Sequence, residues 1–170
     1  WFTITHSERK HDKKGKVRTT LEIMNSLTFP NGERNGLNHQ IPTVETVEHP
    51  KRNLPIHPYT LGVWLGDGIR NTGEYCKPDL GVVENLRYIG ESLHDYYPAN
   101  KCVRWRVHGL IQELRKLGLL GTHSWERFIP NVYKYSSSEQ RISILQGLLD
   151  TDGSVEGEGS VGFSSTSKRL

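Results

Sequence analysis

The sequence predicts an α+β chain organised around two apolar helices that meet side by side. Three observations carry this expectation. Short runs alternate polar and apolar residues as strands do, longer runs place apolar residues three and four apart as helices do, and one nonapeptide pattern occurs twice: TLGVWLGDG at 60–68 and LQGLLDTDG at 145–153.

The elements follow in chain order. WFTITH alternates and reads as a strand. ERKHDKKGKVR (8–18) gathers six basic residues around Gly15 and fits either a solvated hairpin loop or a loop that contacts phosphate. Thr19 or Thr20 suits the cap of a short helix through LEIMNSL, with Glu22 supporting its first turn. FPNGERNG (29–36) is turn chemistry, and NHQIPTVETV reads as extended. VEHPKRNLPIHP (47–58) holds three prolines and no period, which marks a boundary near residue 57.

Pro58 suits a first helical position, and the apolar helix behind it stops at Gly68. A brief extended stretch from Gly73 to Lys77 comes next. From Asp79 a long helix is expected through VVENLRYIGESLHDYY, with Leu80, Val83, Leu86, Ile89 and Leu93 on one face. CVRWRV (102–107) alternates cleanly, placing Val103, Trp105 and Val107 on one side and Arg104 and Arg106 on the other. LIQELRKLGLL is a helix ending at Gly118, and WERFIP is extended. SSEQRISILQGLLDTDG is helical by length and period, although Ser138 stands three residues before Arg141 and so makes no capping box. SVGFSSTS is strand-like. The abrupt start at Trp1 and the stop at Leu170 suggest cuts through a longer polypeptide.

Composition narrows the classes. With 34% hydrophobic and 24% charged residues the chain suits a globular protein. It has no apolar run long enough to span a membrane and no signal-peptide order, so a cytoplasmic protein is expected. Cys76 and Cys102 form no CxxC, which gives no case for a disulfide framework or a thiolate zinc site. The eight histidines lack zincin spacing and read as surface or core residues. A net charge of +3 permits nucleic-acid binding without requiring it.

The repeat carries the chemistry. Gly62 aligns with Gly147, Asp67 with Asp152 and Gly68 with Gly153. A glycine inside a helix costs about 1 kcal/mol against alanine, so Gly62 and Gly147 point to close backbone approach. Helices packed through them bring Asp67 and Asp152 together, each at the negative end of a helix dipole. Two carboxylates so placed repel each other, and divalent cations such as Mg²⁺ or Mn²⁺ relieve this while also holding phosphate oxygens.

The motifs resemble the paired helices of LAGLIDADG homing endonucleases lodged in inteins. The likeness extends through NHQIP, NLPIHPYTLGVWLGDG, RFIPNVYKYSSSEQRISILQGLLDTDGSV and VGFSSTSKRL, roughly residues 38–170. It implies αββαββα modules with central paired helices and sheets straddling double-stranded DNA. It implies a splicing-domain remnant and linker over 1–57, a first module over 58–137, and a truncated second module over 138–170. It further implies site-specific, metal-dependent DNA cleavage. Asp67 and Asp152 are then catalytic and metal-binding, the carbonyls of Gly66 and Thr151 assist, and Gly62, Gly68, Gly147 and Gly153 form the helix interface. Host-protein exteins become partners, and self-association is one way to complete the second module.

Arg104 and Arg106 are the first candidates for DNA contact, followed by Arg70, Lys77 and Lys168. Asp150 aligns with Leu65 and is assigned packing or capping. Arg127 stands where the family often carries lysine, and as a permanently charged group it is no proton-transferring base. These departures suggest weakened or absent cleavage. Two alternatives stay open: a catalytically dead DNA-binding or structural remnant of an intein, and a haloacid-dehalogenase-type phosphatase suggested by DTDGSV.

Overall fold

The computed structural model describes residues 1–11, 14–76, 79–96 and 103–170. It is a mixed α+β structure with small antiparallel sheets. The chain separates into two compact units, Trp1–Val47 and Glu48–Leu170.

In the first unit, β1 (Phe2–Thr5) leads into α1 (His6–His11), then β2 (Lys16–Val17), α2 (Thr20–Asn25), β3 (Thr28–Asn31), β4 (Arg34–Leu37) and β5 (His39–Gln40). Strand β1 lies between β2 and β5, and β3 pairs with β4 as a separate hairpin. The basic stretch 8–18 is therefore not one loop: its first residues form α1, and Glu8 draws Arg18 to 2.6 Å. Thr19 caps α2 in a full capping box with Glu22. Little of this unit is buried; Thr3 is, while Trp1, Phe2, Leu21, Met24 and Leu37 are exposed.

The second unit begins with α3 (Pro58–Asp67) and β6 (Glu74–Tyr75). Helix α4 (Leu80–Tyr88) is shorter than expected. Gly90 adopts φ of 91° and turns the chain out of the helix, so Leu93 belongs to strand β7 (Leu93–Tyr96). Strand β8 (Arg104–Val107) sits between β6 and β7, and α5 (Leu110–Lys116) follows it. Gly118, with φ of 70°, ends that turn.

Ser124–Glu126 form a single 3₁₀ turn where an extended run was expected, and a short α6 (Asn131–Lys134) follows. Helix α7 (Ser138–Asp152) starts one residue after its cap: Ser137 and Gln140 form the capping box that the Ser138–Arg141 spacing did not offer. A hairpin of β9 (Gly153–Val155) and β10 (Val161–Phe163) follows.

The core of this unit surrounds α3. Every residue from Pro58 to Leu65 is buried, with Leu61 and Trp64 fully so. Tyr75, Val83, Leu86, Val107, Leu114, Tyr133, Ile144 and Leu148 pack around it. Cys76 is disulfide-bonded, although the cysteine spacing gave no case for a disulfide framework. No helix among the described residues is long and apolar enough to cross a membrane.

Candidate functional site

The site is the junction where α3 meets α7. The two helices approach through glycine: a Cβ placed on Gly62 would lie 3.0 Å from the Gly147 Cα and closer still to the Ile144 carbonyl. A Cβ on Gly147 would lie 2.8 Å from the Val63 amide nitrogen and would press on the Tyr59 carbonyl. Gly68 and Gly153 act differently. Each follows the last residue of its helix in extended conformation, and an added Cβ would strike the preceding turn at Trp64 or Leu149.

The last residues of the two helices are Asp67 and Asp152. A Cβ on Gly66 would be 3.2 Å from Asp152 Oδ2, so that carboxylate lies against the last turn of α3. Thr151 turns its hydroxyl back into its own helix, donating to the carbonyls of Leu148 at 2.9 Å and Gly147 at 3.2 Å. Asp150 points to the other flank. Its Oδ2 accepts from the Tyr59 hydroxyl at 2.6 Å and from Asn85 Nδ2 at 3.4 Å, tying α7 to α3 and α4. Burial first, and then this carboxylate, push the Tyr59 phenol upward.

The decisive neighbour is Arg127, which the sequence marked only as a poor base. It is 5% exposed and reaches the end of α3 from the segment after the 3₁₀ turn. Its Nη1 donates to the carbonyls of Leu65 at 2.8 Å, Gly66 at 3.0 Å and Trp64 at 3.1 Å, and its Nη2 donates to that of Gly68. Those of Leu65 and Gly66 are carbonyls that the helix C-terminus leaves unpaired, while that of Trp64 also accepts from the Gly68 amide. The guanidinium also lies over the Trp64 ring, 4.7 Å from its centroid. Burial lowers its pKa, while Asp152 and Asp67 act in the opposite direction.

A divalent ion fits this junction poorly. The Gly66 carbonyl, an expected ligand, already receives the guanidinium. Unit charges ~4 Å apart repel by about 4 kcal/mol at an effective dielectric of ~20, and a divalent ion doubles the term. Among the described residues no group of three or more His, Cys, Asp or Glu side chains is placed to hold a metal.

The other candidates are dispersed. Arg104 and Arg106 share the outer face of the β6–β8–β7 sheet, where Glu74 and His94 flank Arg106 in register. Glu74 is 1% exposed and receives Arg106 through both Nε, at 3.0 Å, and Nη2, with Arg104 Nη1 at 3.5 Å. Sequence reading missed Glu74 because one acid in a short extended run carries no period. Arg70 is exposed and donates through Nε to the Gly121 carbonyl at 2.6 Å. Lys168 is exposed, and Lys77 lies outside the described residues.

No protein-family model matches the chain. Over 184 aligned residues covering all of this chain, it is 36% identical to the replicative DNA helicase DnaB of Mycobacterium intracellulare. The chain spans 29% of that relative's length. This finding corrects the assignment to the LAGLIDADG homing endonucleases and, with it, the site-specific DNA cleavage that assignment implied. The phosphatase alternative falls as well. Its DxDG motif needs a buried strand before it, and DTDG here closes helix α7. What the comparison shows is similarity to a stretch of a protein named as a replicative DNA helicase.

Proposed function

We propose that this chain is an intein-like segment carried within a DnaB-type replicative helicase, and that it contacts duplex DNA without performing the helicase's chemistry. The observation that carries the reading is the 36% identity along the whole chain to a protein named for its action on DNA. The sequence holds no G-x4-G-K-[ST] loop of the kind that cradles nucleotide phosphates, so nucleotide hydrolysis is not assigned to this stretch.

The DNA-contacting surface in this reading is the outer face of the β6–β8–β7 sheet. Its buried Glu74 orients Arg106, whose side chain stays 61% exposed on that face. His94 and His108 flank the same shallow depression. Contacts of this kind are sequence-independent and fall with salt, because each neutralised phosphate releases counterions. Binding measured by fluorescence anisotropy on a labelled duplex should therefore weaken steadily with salt. Arg106→Gln should reduce the slope of log affinity against log salt by about one. No binding at low salt, or an unchanged slope in a folded Arg106→Gln protein, rejects the surface.

The insertion reading has its own test. Expression of the complete reading frame, followed by intact-mass measurement, should yield a ligated helicase lacking this segment. A mature helicase that retains all 170 residues would exclude it.

A further inference from the structure

We propose that the Arg127 guanidinium is the resident cation of the α3–α7 junction, holding Asp67 and Asp152 together in the place a divalent metal would take. The inference does not depend on the helicase context.

The junction concentrates negative charge from three sources: the carbonyl end of α3, the carboxylate of Asp67 as its last residue, and Asp152 laid against Gly66 from the neighbouring helix. Something positive must stand there for the helices to close. Arg127 satisfies each requirement. Its fork spans the carbonyls of Trp64, Leu65, Gly66 and Gly68, and both aspartates act on it through space. A planar guanidinium suits this better than an ammonium, because it divides its donors among several acceptors in one plane and stacks on the Trp64 ring.

The arginine is also anchored. Its own carbonyl accepts the Ser167 hydroxyl at 2.6 Å, so the last residues of the chain brace the segment that delivers it. Ser167 is itself 6% exposed. A loosely held surface arginine would show none of this bracing. Arg127 is thus a positioning residue whose charge substitutes for bound metal, and the fold of this unit is independent of divalent cations.

The test uses Mn²⁺ as the probe, with free ion followed by electron paramagnetic resonance on protein first stripped with EDTA. Wild type and Asp67→Asn should take up Mn²⁺ equally weakly, and EDTA should leave the wild-type unfolding temperature unchanged. Arg127→Gln vacates the positive position and should bind Mn²⁺ about tenfold more tightly than wild type, with Mn²⁺ raising its unfolding temperature. Adding Asp67→Asn to that variant should abolish the gain, an effect that mere loss of a structural arginine would not produce. Arg127→Lys, which keeps the charge, should exclude Mn²⁺ as wild type does. A folded Arg127→Gln protein with no gain overturns the proposal. So does one-to-one uptake by wild type that Asp67→Asn or Asp152→Asn removes. Should Arg127→Gln not fold, that wild-type comparison decides: equal uptake supports the proposal and a drop overturns it.

Discussion

A single missing methyl group sets the spacing at the junction. In most helices alanine outranks glycine by about 1 kcal/mol, so Gly147→Ala on propensity alone should stabilise α7. Here the added Cβ meets backbone, the Tyr59 carbonyl and the Val63 nitrogen, and backbone does not rotate aside as a side-chain tip does. The helices must separate and lose packing around Val63 and Leu148. Gly147→Ala should therefore destabilise the second unit by ~1–3 kcal/mol in urea denaturation, and Gly62→Ala by a similar amount. A stabilised variant would contradict the close approach. These glycines were legible because the chain repeats them in matched contexts. Arg127 was not: its carbonyl partners lie about 60 residues earlier, and hydrogen bonds to backbone leave no mark in the sequence.

At the scale of an element, the β6–β8–β7 sheet depends on an acid below its surface. The alternation of CVRWRV indicated which side of β8 would carry its arginines, because strand period alone determines that. It could not indicate that Glu74 would sit opposite Arg106, since register across strands depends on tertiary pairing. The consequence is asymmetric. Replacing both Arg104 and Arg106 by alanine takes two cations from a buried carboxylate and should cost ~3–5 kcal/mol. Glu74→Gln leaves arginines of which one is already largely solvated, and should cost distinctly less. Thermal unfolding of the two variants side by side makes the comparison, and equal losses would mean that Glu74 does not depend on its cations. The end of α4 teaches a related lesson: its apolar spacing continued to Leu93, but the left-handed turn at Gly90 outweighed periodicity.

At the scale of the whole molecule, the two units should answer pH from opposite sides. In the first unit the Thr5 amide, at 2.9 Å, and then Arg18 hold the Glu8 carboxyl down at about 2, against an ordinary value of 4.5. A folded-state pKa below the unfolded one contributes stability above the unfolded value, and that stability drains away as pH falls toward 2. In the second unit burial pushes the Tyr133 phenol up to about 12, and burial raises Tyr59 and Tyr75 as well, from an ordinary 10.0. Here the sign reverses: the contribution is intact below pH 10.0 and is lost as the unfolded chain ionises first, between 10.0 and about 12. Amide signals of β1, β2 and β5, followed by two-dimensional NMR, should therefore lose dispersion between pH 4.5 and about 2. Glu8→Gln should weaken that sheet at neutral pH and flatten its acid response. Signals of α3 and α7 should weaken between pH 10.0 and about 12, and Tyr133→Phe should blunt that alkaline loss. An acid response of the β1 sheet that survives Glu8→Gln unchanged would show that Glu8 is not what secures this sheet against acid.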